Sequence, residues 1–270
     1  MIRIQALFDF YLKSSIHVAL SVYALVRMTQ FMFEIPYDES IALFSFFGTI
    51  VGYNFVKYDA LARAKKRMMR NELKIIALFS FFSFLAVGFY FFKLERVTQL
   101  VAVSVLVLTL LYTLPFFPNR KNARNWAGVK IYIVSLCWVG VTLLLPLVNA
   151  HHDLGFDFFI KCFQRFILIF DLILVFEIID LSNDDPHLKT VPQQIGVKRT
   201  KILGLLLLIP FYFLELFKNN FIEKQLVVNL ILVVILSLFI IFSNEKRSKY
   251  YTSFWVESIP VLWWLMVVFY

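Results

Sequence analysis

Three carboxylates, Glu177, Asp180 and Asp184, stand in the stretch FEIIDLSNDD at the end of a long apolar run. Their spacing is i, i+3 and i+7, which at about 3.6 residues per turn puts all three on one narrow helical face. In or beside hydrocarbon such groups are costly unless something compensates them. Like charges on one face repel each other unless a cation sits among them. Mg²⁺ prefers carboxylate oxygens and fills its remaining positions with water or substrate phosphates, so one reading is a site for a Mg²⁺-diphosphate. The other is a solvated helix end whose acids pair with Lys189 or Arg199.

The elements that must position these residues are apolar. The chain has 270 residues, 60% of them hydrophobic, with 32 Phe and only 8 Gly. The mean hydropathy of +0.76 and the long uncharged runs exclude an ordinary soluble domain. A spanning helix takes roughly 20 mainly apolar residues, and nine such segments are expected, at about 14–33, 40–58, 73–92, 97–114, 128–149, 157–181, 200–216, 225–242 and 250–270. The expected fold is an all-α, nine-helix membrane bundle forming one integral membrane domain over 1–270. The second and sixth segments both end in polar residues and run into long basic loops. This echo suggests two related four-helix halves, about 14–114 and 128–242, plus a ninth helix at 250–270. The N-terminal stretch lacks the small-residue cleavage site of a secretory signal and is kept in the reading.

The net charge of +9 is topological rather than a sign of nucleic-acid binding. Loops near 59–72, 115–127, 182–199 and 243–249 hold most of the Lys and Arg, whereas those near 34–39, 93–96, 150–156 and 217–224 hold only Lys93, Arg96, Lys218 and Lys224. That asymmetry makes the first set cytoplasmic, with the N-terminus inside and the C-terminus outside. The expected setting is a bacterial inner (plasma) membrane.

Cys137 and Cys162 fall inside apolar runs and read as buried thiols, not as a disulfide or a metal pair. Arg27, Asp171 and Glu257 lie within expected spans, where ionisable groups usually pair. Arg27 is expected to meet Asp171 or Glu257, the alternative being acceptor-binding groups that line a chamber. His151, His152 and Asp153 read as an outer turn. His17 and His187 stand alone.

The acidic stretch with its sequel, FEIIDLSNDDPHLKTVPQQIG, resembles the second aspartate-rich motif of the UbiA-type intramembrane prenyltransferases, D-x-x-D-x-x-x-D. Glu177, Asp180 and Asp184 occupy the three acidic places. Upstream, LYTLPFFPNRKNARNWAGVK resembles that family's connection between the fourth and fifth helices, with Tyr112, Pro115, Arg120, Arg124, Gly128 and Lys130 in the matching places. The family's first motif, N-D-x-x-D-x-x-x-D, is altered here to YNFVKYDALARA. Asn54 matches, but Phe55, Tyr58 and Ala62 stand in the acidic places and Asp59 is one residue out of register. Lys57 is a chemical substitute for a missing metal, since an ammonium partners phosphate, or a side chain snorkelling to the interface.

The resemblance implies transfer of an isoprenyl group from a prenyl diphosphate to a membrane-soluble acceptor, aromatic or lipid-like, in a chamber open to the cytoplasm. It implies Mg²⁺ held by Asp180 and Asp184 with Glu177 and Asn54, the two aspartates carrying the catalysis. Lys130, Arg124, Lys189 and Lys57 would hold phosphate oxygens, and Tyr112 would line the chamber. The rival reading is a degenerate relative that binds an isoprenoid lipid or acts as a membrane scaffold without transfer. A transporter would need a polar path across the membrane, and the outer halves of the expected spans read as nearly all apolar.

Overall fold

Helix is the only regular structure among the described residues, as backbone that must satisfy its own hydrogen bonds in lipid requires. The structure, a computed structural model, describes residues 2–64, 71–113, 128–184 and 188–270, the side chains of 2–3, 59–64 and 111–113 excepted. Its helices are α1 (Ile2–Lys13), α2 (Ile16–Met32), α3 (Glu39–Ala64), α4 (Asn71–Phe91), α5 (Arg96–Thr113), α6 (Val129–Val139), α7 (Leu145–Asn149), α8 (Phe156–Asp180), α9 (Val191–Ile195), α10 (Val197–Phe213), α11 (Glu223–Phe242) and α12 (Ile259–Phe269). A π-helical turn, Gly140–Leu144, joins α6 to α7 into one rod, and another, Tyr251–Val256, leads into α12.

Among the described residues, and leaving aside the short α1 and α9, these elements form rods at positions compatible with the nine expected segments. Six are long and apolar enough by themselves to cross a membrane, and α2 and the first part of α5 are shorter apolar helices. The remaining rod, α8, carries Lys161, Arg165, Asp171, Glu177 and Asp180, and all of these except Asp180 are buried. Facing the bundle interior is what makes so charged a helix tolerable in lipid. By contrast α4 buries only Ile76 and Ser83 and turns Phe81, Phe82, Phe84 and Phe89 outward. Much of the phenylalanine is therefore lipid-facing surface.

Both π-helical turns stand just before a proline. Pro146 removes the N–H that would bond the Thr142 carbonyl four residues earlier. That carbonyl accepts the Thr29 hydroxyl at 2.7 Å instead, tying α2 to the α6–α7 rod. Pro260 stands four residues beyond Val256, where the second π-helical turn ends.

α2 packs against α3 and α12, α3 against α4, α8 against α6 and α10, and α11 against α10 and α12. The main core lies between these rods, around Leu25, Met28, Leu168, Leu232, Leu236 and Trp263, all essentially inaccessible. The described parts of the two loop sets lie at opposite ends. At one end Asn149 Nδ2 donates to Asp38 Oδ2 at 2.6 Å, and the Asn219 and Asn220 amides donate to Asp157 at 2.8 and 3.1 Å. At the other, here the basic end, Lys13 pairs with Glu72 at 2.6 Å, and Asp9 takes the Tyr250 hydroxyl at 2.5 Å and Lys249 at 3.6 Å. Tyr250 first, and then Lys249, hold the Asp9 carboxyl below its ordinary range. The segment 151–153 is a turn, with His151 at φ 50° and His152 Nδ1 2.8 Å from the Asp153 carbonyl. Cys137 and Cys162 are free thiols.

Candidate functional site

α8 delivers the acidic face to the basic end. Its backbone turns once more beyond Asp180, whose carbonyl accepts the Asn183 and Asp184 amides at 2.8 and 2.9 Å, so Asp184 folds back under the helix. Glu177 is buried, and its Oε2 accepts the Val191 amide at 3.0 Å, which fixes the start of α9 against α8. Asp180 is exposed, and Asp184 is half-buried. Lys130, in the first turn of α6, and Asp184 both lie within electrostatic reach of Glu177 and Asp180. Three carboxylates at a helix C-terminus face the negative end of its dipole, so the arrangement favours a cation there. Neither Lys189 nor Arg199 forms an ion pair with them among the described residues. Lys189 is exposed at φ 47°, and its carbonyl accepts the Gln194 amide at 2.5 Å. A Cβ added at Gly128, whose φ is +70°, would meet that Gln194 side chain at 3.3 Å. The loop after the acidic motif therefore packs against the root of α6, close to Lys130.

Among the described residues, no three His, Cys, Asp or Glu side chains close on one point as a protein metal cage requires. The expected set of Glu177, Asp180, Asp184 and Asn54 is not assembled in that sense. Asp184 does keep one enclosed oxygen, Oδ2, with no hydrogen-bond donor among the described residues, near the exposed Asp180. A Mg²⁺ ion held by one or two carboxylates, with water and phosphate completing its shell, fits this pair. A cage of three protein carboxylates does not.

Asn54 has a different task. Ser15, in the left-handed conformation at φ 62°, breaks the chain between α1 and α2. Three α3 side chains, spaced i, i+3 and i+4 and so within about one turn, fasten that elbow. Asn54 donates to the Ser14 carbonyl at 3.0 Å and accepts from the Ser15 hydroxyl at 2.8 Å, Lys57 Nζ donates to Ser15 Oγ at 3.0 Å, and Tyr58 donates to the Lys13 carbonyl at 2.9 Å. Asn54 also donates to Ser80 Oγ of α4 at 2.9 Å. Unpaired carbonyls at a helix break are costly away from water, and this motif segment satisfies them. Pro115, Arg120, Arg124 and His187, and the side chains of Tyr112, Asp59 and Ala62, lie outside the described residues.

Three other expectations are corrected. Arg27 pairs with neither Asp171 nor Glu257. It donates to Gln30 Oε1 at 3.0 Å, and its guanidinium lies 3.8 Å from the Tyr37 ring centroid. Asp171 is fully buried between α8 and α10, with no hydrogen bond to either oxygen among the described residues. The opposite half of the bundle is not apolar throughout. Lys161 pairs with Glu215 at 2.6 Å, Lys218 joins at 3.3 Å, and Gln164 and Asn229 donate to Glu215 at 3.0 and 3.1 Å. Beside them Arg165 donates to Thr142 Oγ1 at 2.9 Å. Lys161, Gln164 and Arg165 are spaced i, i+3 and i+4, a signal present in the sequence but hidden by the hydropathy of the window. His17 is likewise not isolated: its ring nitrogens lie 2.6 Å from the Tyr11 hydroxyl, 2.9 Å from the Phe254 carbonyl and 3.0 Å from Ser258 Oγ. No sequence signal marks that cluster, which draws on segments more than 230 residues apart.

No protein-family profile and no curated protein sequence matches the chain. Solved structures do. A structure from work on digeranylgeranylglyceryl phosphate synthase in membranes superposes with a TM-score of 0.57 at 14% identity, covering 97% of this chain and 95% of the other. A UbiA homolog from Archaeoglobus fulgidus, bound to Cd²⁺, superposes with a TM-score of 0.57 at 12% identity, covering 94% and 97%. At these identities the likeness is one of fold, and it runs essentially end to end. With helix as the only regular structure among its described residues, the chain has the UbiA-type fold in a divergent form.

Proposed function

We propose that the protein transfers an isoprenyl group from a prenyl diphosphate to a membrane-soluble acceptor, at the basic end of the bundle and facing the cytoplasm. The observation that carries this reading is the Asp180–Asp184 pair beside Lys130, at the end of a helix whose charges otherwise face inward. In this reading Asp180 and Asp184 hold Mg²⁺ through one oxygen or two, and Glu177 anchors the loop that carries Lys189. When bound, the metal neutralises the leaving diphosphate. Lys130, Lys189 and Arg124 bind its remaining oxygens as charge-assisted donors. Lys57 supplies a further cation, and Tyr112 lines the space. The apolar rods keep water from the allylic cation that ionisation leaves behind. The two structural neighbours, one tied to digeranylgeranylglyceryl phosphate synthase and one carrying a divalent cation, support the reading.

The test is calorimetric titration of the detergent-purified protein with a non-hydrolysable prenyl thiodiphosphate. Binding is expected to need Mg²⁺, to vanish with EDTA, and to be lost in Asp180→Asn, which keeps the shape and removes the charge. Tight binding that survives both would refute the metal-diphosphate site. A second reading, a relative that binds isoprenoid lipid without transfer, is favoured by one observation: the Asn54 amide is committed to the α1–α2 elbow. Mass spectrometry of lipid extracts from cells with and without the protein separates the two. Transfer yields a prenylated product that disappears with the protein.

A further inference from the structure

α1 carries none of the candidate site residues, and its outer part is open: Ile4 is 73% and Leu7 69% accessible, and Gln5, Ala6 and Phe8 are exposed as well. At 12 residues it is too short to cross a bilayer. Three rods fix its level. The Lys13 carbonyl accepts the Tyr58 hydroxyl at 2.9 Å, and Tyr58 ends the apolar span of α3, Glu39–Tyr58. The Lys13 ammonium pairs with Glu72 at 2.6 Å, in the first turn of the α4 span, Asn71–Phe91. Asp9 takes the Tyr250 hydroxyl at 2.5 Å, and Tyr250 immediately precedes the last span, Tyr251–Phe269. The ends of apolar spans mark the boundary between hydrocarbon and headgroups. A helix tied at that boundary at Lys13, and again one turn away at Asp9, runs along the membrane surface and not through it.

Ile4, Leu7, Phe8 and Tyr11 stand at i, i+3, i+4 and i+7 and share one face. The inner end of that face is packed. The Phe8 ring lies 5.2 Å from that of Phe254 and 5.7 Å from that of Tyr250, and the Tyr11 hydroxyl lies 2.6 Å from His17 Nδ1. Ile4 and Leu7 continue the face with most of their surface open. Trp255, 58% accessible and 5.1 Å from the Phe254 ring, stands beside it as a side chain suited to headgroup level. The loop after α11 reaches the same boundary: Arg247 Nε donates at 2.9 Å to the carbonyl of Phe242, the last residue of the span Glu223–Phe242. Lys246 and Arg247 are exposed, and neither forms an ion pair among the described residues. We propose that α1 is an interfacial lipid-binding helix. Ile4, Leu7 and Phe8 lie among the acyl chains of the leaflet on the basic side, and Lys246 and Arg247 beside them hold anionic headgroups. Apolar contact and charge act together in such helices, and here the two come from segments far apart in the chain. The assignment stands apart from the transfer reading, since it uses no residue of that site.

The test uses the full wild-type chain in nanodiscs of phosphatidylcholine and phosphatidylglycerol, with one or other lipid carrying a diazirine in its acyl chain. After illumination and digestion with trypsin, peptide mass spectrometry reads the carbene adducts. Peptide 4–13 should be labelled, with the adducts on Ile4, Leu7 and Phe8 and few on Gln5, Ala6 or Asp9. Peptide 75–93, from the lipid-facing α4, is the positive control. The phosphatidylglycerol reagent should label 4–13 more than the phosphatidylcholine reagent at equal mole fraction, by up to about fivefold for each basic residue. The double variant Lys246→Gln, Arg247→Gln, altered only on an exposed loop, should bring the two reagents level at 4–13 and leave 75–93 unchanged. An unlabelled 4–13 beside a labelled 75–93, or adducts spread evenly around the helix, would overturn the assignment. Labelling of 4–13 that disappears when a nanodisc holds two copies would also overturn it and give the face to a second copy of this chain. Equal labelling by the two lipids in wild type, or a preference that survives the double variant, would overturn the headgroup contact.

Discussion

At the level of single residues, the altered first motif shows how one side chain can keep a place and change its task. Asn54 makes three hydrogen bonds, all to the serines around the α1–α2 elbow and at Ser80. Asn54→Ala would strand the buried Ser14 carbonyl, and we expect a loss of about 1–3 kcal/mol of stability. Thermal unfolding in detergent should show it, with Mg²⁺-dependent thiodiphosphate binding retained. A variant with an unchanged midpoint and no metal dependence would return Asn54 to the metal site. Spacing alone pointed to Glu177, Asp180 and Asp184 as one group, but α8 ends at Asp180 and Asp184 lies in the turn beyond it, where helical spacing no longer applies. The elbow was not legible. A sequence pattern reports which residue occupies a place, and the partners of Asn54 lie 26 to 40 residues away.

At the level of elements, α8 is the helix on which the sequence reading was strongest at one end and weakest at the other. Its apolar run was long enough to place it, and that same run concealed Lys161 and Arg165. Their partners sit on other rods, with Glu215 lying 54 residues along the chain from Lys161. Hydropathy averages over a window, whereas the cost of a buried charge depends on what it meets. Glu215→Ala leaves Lys161, itself 2% exposed, without its counter-charge. We expect a cost of about 3–5 kcal/mol, the usual result of removing one partner of a buried pair. The double variant Lys161→Met, Glu215→Leu should cost less than Glu215→Ala alone, because no buried cation is then abandoned. Unfolding midpoints of the three proteins in one detergent check this ordering.

At the level of the whole molecule, the all-helical membrane architecture of the described residues was legible from composition. Twenty apolar residues and a cluster of Lys and Arg constrain topology in any bilayer. The orientation they imply is testable in cells. Asp153→Cys should react with an impermeant maleimide applied outside, and Lys198→Cys should react only after the membrane is opened. Labelling of Lys198→Cys in intact cells would invert the assignment. The buried network around Glu215 fastens the half of the bundle opposite the acidic helix end. In the proposed transfer reading, polar substrates therefore enter and leave at the basic end. An anion that enters and leaves at the basic end crosses little of the electrical field of the membrane, whose full drop is worth about 2.3 kcal/mol per elementary charge at 100 mV. On that transfer reading, binding and turnover at that end are therefore expected to be insensitive to membrane voltage, in an energised cell as in a depolarised one.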